Sequence, residues 1–308
     1  MEVGRKRKGS ACSNFFRADT IKEKRSNGGR RVSVSIIRKK VILNNVELFV
    51  LDTETEGPAI LCLHGRWGRG EVWADLMRRY GQQYRVIAPD QRGHGLSDKP
   101  LSRYTAEEMA EDAVGLLDAL GIESCVLLGH SMGAQIAAHA AVMFPDRVNK
   151  VAILDKTPAG PPQRLEAPPE EIPDRDPFTG SWPMPFSDLA EARRFMRETL
   201  GDPLGVEYFM NSLVETPEGY GMMFSGRAMA ANIAYNVDWY GMLPRIECPT
   251  LLVRAKYGED MPDDVWEKAK SLLKHAIVRE MPNANHNVHL SDPDTFYGFV
   301  DELLHSED

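Results

Sequence analysis

The sequence predicts an α/β fold with a doubly wound, mostly parallel sheet. Short apolar runs that suit buried strands alternate with stretches of helical periodicity along most of the 308 residues. Residues 157–187 interrupt this alternation with nine prolines and no strand pattern. The strand pattern returns at Thr250. The interruption therefore indicates a segment that is inserted into the fold.

The predicted elements follow one another with recognisable starts. Thr105, with Glu108 three residues later, forms a capping box that marks the start of a helix. Asp292 followed by Pro293 suits the first turn of the last helix. The predicted strands cover 40–43, 46–50, 59–63, 84–88, 124–128, 148–155, 250–255 and 276–281. The predicted helices cover 73–80, 105–120, 134–142, 263–274 and 293–304, with shorter helical pieces over 188–240.

These patterns divide the chain into three parts. Residues 1–33 lack apolar periodicity and are rich in Arg, Lys, Ser and Gly, so they are predicted to be a disordered basic tail. Residues 34–156 and 241–308 form the predicted α/β core. Residues 157–240 form the predicted helical insertion. Because ligands bind at the carboxyl edge of open α/β sheets, and the insertion leaves from that edge, we expect it to form a lid over the site.

Charge and composition exclude several classes of protein. Residues 1–40 hold thirteen Lys or Arg and three Asp or Glu, whereas the rest of the chain holds 24 and 42. A body this acidic argues against nucleic acid as a partner. No stretch approaches the roughly 20 apolar residues of a membrane span. We therefore expect a cytoplasmic protein that has neither a membrane nor a nucleic-acid partner.

Residues 129–133 carry the clearest chemical signal. They form Gly-x-Ser-x-Gly between an apolar predicted strand and a predicted helix of small residues. A chain that passes from strand to helix around one residue must turn sharply, and Gly129 and Gly133 lack the Cβ atoms that would clash there. The N-terminus of the following helix favours developing negative charge. The motif predicts a nucleophile elbow that exposes the hydroxyl of Ser131.

The elbow and three further motifs carry a resemblance between this chain and the α/β-hydrolase superfamily. The resemblance covers about residues 35–306. The further motifs are His64-Gly65, the loop from Asp90 to Asp98, and the stretch from His286 to Leu290. The resemblance implies a catalytic triad in the chain order Ser, acid, His. It also implies that the loop at 90–98 serves conformation, so His94 is not expected to take part in chemistry.

The superfamily carries its catalytic histidine late in the chain, which points to His286 as the base that activates Ser131. His289, three residues later, is expected to be a packed or surface histidine. Two backbone N–H groups should form an oxyanion hole. The resemblance implies that Met132 and Arg66 supply them, with His64 bracing the loop that contains Arg66.

Three carboxylates are candidates for the acid of the triad. The resemblance places it after the strand at 250–255, where the most common position falls on Gly258, a departure from the family pattern. Related sequences with one more residue in this loop place the acid on Glu259, so Glu259 ranks first and Asp260 second. Asp155, at the end of the preceding core strand, ranks third, because a structural role in tying the loop there is the preferred explanation.

Together these observations predict a serine hydrolase that cleaves a small carboxylic ester or related acyl compound without a cofactor or metal. The alternatives are a carbon–carbon bond hydrolase with the same triad and a ligand-sensing protein with slow or no turnover. A small-molecule substrate is the expected partner, and the sequence leaves a homodimer open. The fold by itself does not decide among these functions.

Overall fold

The computed structural model describes residues 34–307, so the predicted basic tail at 1–33 lies outside the described residues. The described strands are β1 (Ile37–Ile42), β2 (Glu47–Asp52), β3 (Ala59–Leu63), β4 (Arg85–Pro89), β5 (Cys125–His130), β6 (Val148–Leu154), β7 (Leu213–Thr216), β8 (Gly219–Met222), β9 (Thr250–Ala255) and β10 (Ala276–Met281). The described α-helices are α1 (Ala74–Tyr80), α2 (Ala106–Ala119), α3 (Met132–Met143), α4 (Leu189–Leu200), α5 (Pro203–Met210), α6 (Gly226–Ala234), α7 (Asp263–Leu272), α8 (Val288–Ser291) and α9 (Pro293–His305).

Eight strands form the main sheet, in the order β1-β2-β4-β3-β5-β6-β9-β10. β1 and β2 pair antiparallel, and so do β2 and β4. From β4 to β10 every neighbouring pair is parallel. The predicted doubly wound, mostly parallel sheet is therefore confirmed.

The central strands are buried on both faces, as parallel strands between helices must be. Every residue of β3, β5 and β9 is buried. β3 and β5 pack against α3, in which ten of the twelve residues are buried, and β9 packs against α9. The core therefore fixes the carboxyl ends of β3, β5, β6 and β9, and these ends carry the loops of the candidate site.

The segment between β6 and β9 contains the predicted helical pieces, but it also contains a β-hairpin that the sequence analysis did not predict. β7 and β8 pair antiparallel from Leu213 with Met222 to Thr216 with Gly219. Gly219 adopts φ 132°, and a Cβ atom there would lie 2.3 Å from the Phe186 carbonyl oxygen. A glycine is therefore required at this turn. The strands have four residues each, too few for the alternating pattern to stand out in the sequence.

Among the helices of residues 34–307, none combines the length and the apolar character that a membrane crossing requires.

Candidate active site

Ser131 occupies a sharp turn between β5 and α3. Its backbone has φ 53° and ψ −117°, a strained conformation for a residue with a side chain. A Cβ atom at Gly129 would lie 2.1 Å from the Gly133 carbonyl oxygen, and one at Gly133 would lie 2.3 Å from the Leu63 carbonyl oxygen. The two glycines therefore permit the turn, as the motif predicts.

His286 contacts the carboxylate of Asp155. The Nδ1–H of His286 donates to Asp155 Oδ2 over 2.8 Å. The other carboxylate oxygen, Oδ1, accepts from the Ala255 backbone N–H over 2.8 Å. The backbone carbonyl of His286 accepts from His130 Nε2 over 2.8 Å, which ties the histidine loop to the residue before Ser131. Both the ring and its carboxylate are thus held from more than one side.

Asp155 lies directly after β6, in the left-handed region with φ 48°. Its backbone N–H donates to the Val253 carbonyl over 2.8 Å, so it continues the pairing between β6 and β9. The side chain is fully buried. A buried carboxylate needs strong partners, and the Ala255 N–H and the His286 ring provide them.

A second carboxylate approaches the same ring nitrogen. Asp260 Oδ2 lies 3.1 Å from His286 Nδ1, and the Asp260 side chain is 50% exposed. A neutral imidazole with hydrogen at Nδ1 has one N–H to donate there, and the shorter contact goes to Asp155. Asp260 therefore acts on the ring chiefly through its charge.

The structure corrects the sequence-based ranking of the three carboxylates. Glu259, ranked first, is exposed and forms no hydrogen bond or ion pair with any residue in the described part of the chain. Asp260, ranked second, contacts His286 without taking the shortest bond. Asp155, ranked third, holds the ring. The reason is geometric, because adjacent residues of a loop point in different directions and only Asp260 faces the histidine.

The two carboxylates change the protonation of His286. Burial alone would lower the pKa of His286, but the contacts with Asp155 and Asp260 outweigh it and raise the pKa to about 9. Burial raises the pKa of Asp155, and the His286 ring and the Ala255 N–H oppose that rise. Burial would also raise the pKa of Asp260, but His286 and the nearby Lys156 and Arg66 cations lower it. At neutral pH the ring is therefore mostly protonated.

Arg66 and Met132 are the two residues whose backbone N–H groups are expected to form an oxyanion hole. Met132 is the first residue of α3, and Arg66 follows Gly65 in the loop after β3. Neither backbone N–H donates to another atom among residues 34–307. A Cβ atom at Gly65 would lie 3.1 Å from Ser131 Cβ, so the loop runs beside the elbow. Both donors are therefore free beside Ser131.

His64 braces this loop. Its Nε2 accepts from the Gln91 backbone N–H over 3.0 Å, and its Nδ1 donates to the Gly65 carbonyl over 2.8 Å. The Gln91 side-chain amide in turn donates to the His64 carbonyl over 2.7 Å. Burial lowers the pKa of His64 to about 4, so the ring stays neutral and keeps both bonds. Gln91, near the start of the loop at 90–98, thus holds the loop that contains His64 and Arg66.

His94 and His289 are packed. His94 is fully buried against the ring of His64, with 4.9 Å between the ring centroids. His289 lies between Trp73 and His130, with its ring centroid 4.5 Å from each of theirs. Burial lowers the pKa of both histidines to about 3. Neither contacts a carboxylate among the described residues, in contrast to His286.

The inserted segment contacts the site. The Tyr208 hydroxyl of α5 lies against the loop after β3, because a Cβ atom at Gly65 would be 3.1 Å from it and one at Gly68 would be 2.0 Å from it. The Asn232 side chain of α6 accepts from Arg66 Nε over 2.9 Å. Two helices of the insertion therefore close against the loop that carries a predicted oxyanion donor.

Lys156 also lies in this region, although it was not among the residues predicted for the site. It follows Asp155 directly and is 9% exposed. Burial, together with the positive charge of Arg66, lowers its pKa to about 8. The signal in the sequence was a lysine directly after the apolar run that ends the strand.

One group of side chains could hold a cation. Ligand atoms of Asp155, Asp260 and His286 lie within 4.8 Å of one another. The same atoms form the contacts between the ring and its carboxylates. The protein therefore supplies a partner for each of them without a metal.

Comparison with known proteins shows the family of the chain. Residues 58–293 match the family model for the alpha/beta hydrolase fold. The chain belongs to the alpha/beta hydrolase family. Its sequence is 38% identical over 131 residues to 2-(acetamidomethylene)succinate hydrolase of Mesorhizobium japonicum, a match that covers 42% of this chain and only 47% of that protein. It is also 29% identical to the sn-1-specific diacylglycerol lipase ABHD11 of Mus musculus, with 83% of each chain covered.

A solved structure supports the same fold. The crystal structure of E-2-(acetamidomethylene)succinate hydrolase superposes with a TM-score of 0.76 at 24% sequence identity. The match covers 88% of this chain and all of that one. The relatives named here are all hydrolases or lipases.

Proposed function

We propose that this protein is a serine hydrolase that cleaves a carboxylic ester or a related acyl compound with Ser131, His286 and Asp155. One observation carries the proposal: a histidine held by a buried carboxylate lies in the loop tied to the elbow of a strained serine. A serine hydroxyl is a weak nucleophile without such a base. Only the neutral ring acts as the base, and in that form the carboxylate holds the tautomer in which Nε2 is free to accept a proton.

The reaction would run in two halves. Ser131 Oγ attacks the acyl carbon while its proton passes to His286 Nε2. The carbonyl oxygen becomes an oxyanion that accepts hydrogen bonds from the Met132 and Arg66 backbone N–H groups. The intermediate collapses, and His286 returns the proton to the leaving group. Water then attacks the acyl-enzyme with His286 again as base, which releases the acid and restores Ser131.

The relatives support hydrolysis as the reaction, and their names extend the candidate scissile bonds beyond esters. One is named as a lipase, which acts on esters, and another is named for an acetamido-bearing succinate, which contains an amide and two carboxylates. The same triad also serves carbon–carbon bond hydrolysis. Ester, amide and ketone substrates should therefore be compared in one panel.

The test is Ser131→Ala against wild type. The substitution is small, so the fold should persist, and the melting temperature checks this. Hydrolysis of short p-nitrophenyl esters should fall on the order of 10⁴-fold or more. Labelling by a fluorophosphonate should disappear as well. Ser271→Ala, on the exposed face of α7, is the matched control and should keep both properties.

Two outcomes would contradict the proposal. Ester turnover in Ser131→Ala within tenfold of wild type would show that another group is the nucleophile. Labelling of Ser131 without turnover of any substrate in the panel would favour a ligand sensor instead.

A further inference from the structure

The loop after β3 forms a tight turn at the residue that is expected to supply an oxyanion donor. The Gly68 backbone N–H donates to the Gly65 carbonyl over 3.3 Å, which closes a four-residue turn. Arg66 and Trp67 are the two middle residues of this turn. The Arg66 N–H takes no part in closing it, so its direction depends on the backbone angles of the two middle residues.

Trp67 has a strained backbone in this turn. Its φ is 63°, in the left-handed region that a bulky residue rarely occupies. A positive φ at the third position of a turn is usually supplied by glycine. A residue with a large side chain remains in such a conformation only where its surroundings impose it. The contacts that hold Trp67 therefore also hold the turn.

Ser212 makes a polar contact with the strained residue. Its hydroxyl donates to the Trp67 carbonyl over 2.7 Å, and Ser212 is 1% exposed. The backbone of Ser212 is itself bonded on both sides. Its N–H donates to the Phe209 carbonyl over 2.9 Å, and its carbonyl accepts from the Met223 N–H over 2.7 Å. The hydroxyl is thus a fixed, buried donor to the turn.

Ser212 lies between α5 and β7, in the segment inserted between β6 and β9, and this segment also contacts the Trp67 ring. The centroid of the Trp67 ring lies 5.0 Å from that of Phe178 and 5.8 Å from that of Phe209. The guanidinium of Arg69, just after the turn, donates to the Asn211 carbonyl over 3.3 Å. The carbonyl and the ring of Trp67 therefore both contact the inserted segment.

From these contacts we infer that Ser212 is a positioning residue for the oxyanion hole. Its hydroxyl holds Trp67 at positive φ and so fixes the turn that orients the Arg66 N–H. The inference rests on the proposed function and deepens it, because it assigns one half of the hole to the inserted segment. Efficient hydrolysis then requires that this segment contacts the turn as it does here.

The test is Ser212→Ala, which removes the hydroxyl and little else. Without this donor Trp67 can relax to negative φ, which rotates the peptide plane between Trp67 and Arg66. We expect kcat/KM for short p-nitrophenyl esters to fall roughly ten- to hundredfold, because a displacement of about 1 Å can cost about 10²-fold. Ser212→Thr keeps the hydroxyl and should retain most of the activity. If Ser212→Thr does not fold, Ser212→Cys, a weaker donor, should give an intermediate value.

The matched control is Ser225→Ala, in the same inserted segment. The Ser225 hydroxyl caps α6, where it accepts from the Ala228 N–H over 3.2 Å. Loss of the cap should lower the melting temperature. We expect kcat/KM to stay within about twofold of wild type, since the capping hydroxyl does not contact the turn. An activity loss that merely follows stability would appear in both alanine variants.

Inhibition by phenylboronic acid reports on the hole itself. Ser131 Oγ would add to boron while its proton passes to the neutral His286 ring, and an oxygen of the anionic adduct would lie in the oxyanion hole. Analogues of the transition state respond to the same contacts as the transition state. Ser212→Ala should therefore raise the inhibition constant in proportion to its loss in kcat/KM, with KM little changed. An unchanged inhibition constant would contradict the positioning role.

Hydrogen exchange separates this inference from the proposed function. Deuterium uptake over residues 64–73 should rise in Ser212→Ala and not in Ser225→Ala, because the turn protects the Gly68 N–H. Uptake and kcat/KM of Ser212→Ala equal to those of the control would overturn the inference and leave a Ser131-dependent hydrolase standing. Faster uptake with undiminished turnover would overturn it as well. Turnover that does not depend on Ser131 would instead contradict the proposed function, whatever the uptake.

Discussion

Two regions bring a carboxylate to His286, and they differ in how firmly they hold it. Asp155 extends a core strand, is fully buried and uses its second oxygen to bind the Ala255 N–H. Asp260 sits in the loop after β9, and half of its side chain is exposed. The strand end therefore gives a fixed orientation, whereas the loop gives a charge that solvent can screen.

The difference suggests separate roles for the two acids. Orientation of the imidazole needs a carboxylate that cannot move, which the end of β6 supplies. Tuning of the ring's protonation needs only a nearby charge, which Asp260 supplies through the contact of 3.1 Å. Changing one acid at a time tests whether the two carboxylates have separate roles.

The largest effect should come from Asp155→Asn. The amide keeps the shape and can still accept from Ala255, but it presents N–H to His286 Nδ1 and favours the wrong tautomer. The corresponding change in the serine-protease template costs roughly 10⁴ in kcat. Steady-state ester hydrolysis measures the loss, and circular dichroism checks the fold. A loss under tenfold here, with a large loss in Asp260→Asn, would reverse the two roles.

Asp260→Asn should instead move the pH profile. Its charge helps to raise the pKa of His286 to about 9, so removal should lower that pKa. The free base would then be present at lower pH, and the rising limb of kcat/KM against pH should shift in the acid direction. At high pH, where the ring is neutral in both proteins, we expect kcat within about tenfold of wild type. A profile that does not move would show that Asp260 does not act on the ring.

Stability should also follow the protonation of His286. Its folded pKa of about 9 lies above the ordinary histidine value of 6.5, so the folded state binds the proton more tightly than the unfolded state. The stabilisation is complete below pH 6.5 and is lost as the pH rises through 9. The melting temperature should therefore fall by roughly a few degrees across this interval. His286→Gln, which cannot titrate, should show a flatter curve, and an equal slope in both proteins would assign the effect to other groups.

The smallest effect should come from Glu259→Gln. Glu259 is exposed and has no partner among residues 34–307, so removal of its charge should change kcat/KM by no more than about twofold. It is the control for Asp260→Asn, since it removes the same charge one residue away. A loss above tenfold would mean that the loop rearranges when substrate binds.

Features that depend on local chemistry could be predicted from the sequence. Strand and helix periods gave the alternating fold, because each element buries one set of side chains that recurs at its own period. The two glycines around Ser131 predicted the elbow, since a Cβ atom at Gly129 or Gly133 would lie only 2.1 or 2.3 Å from a backbone carbonyl oxygen. His286 followed from the resemblance to the superfamily, which carries its catalytic histidine in the loop after the last strand. Each of these signals lies within a few residues of the feature that it predicts.

Which carboxylate contacts His286 depends on the tertiary structure and could not be predicted from the sequence. Asp155 is 131 residues from His286 and 100 from Ala255, and it meets both because β6 lies beside β9 in the sheet. The left-handed turn at Asp155, with φ 48°, then aims its side chain at the histidine loop. Strand order and one backbone angle are properties of the assembled sheet. A motif around Glu259 and Asp260 could not contain them, and for the same physical reason the burial of Lys156 beside these residues became visible only in the assembled fold.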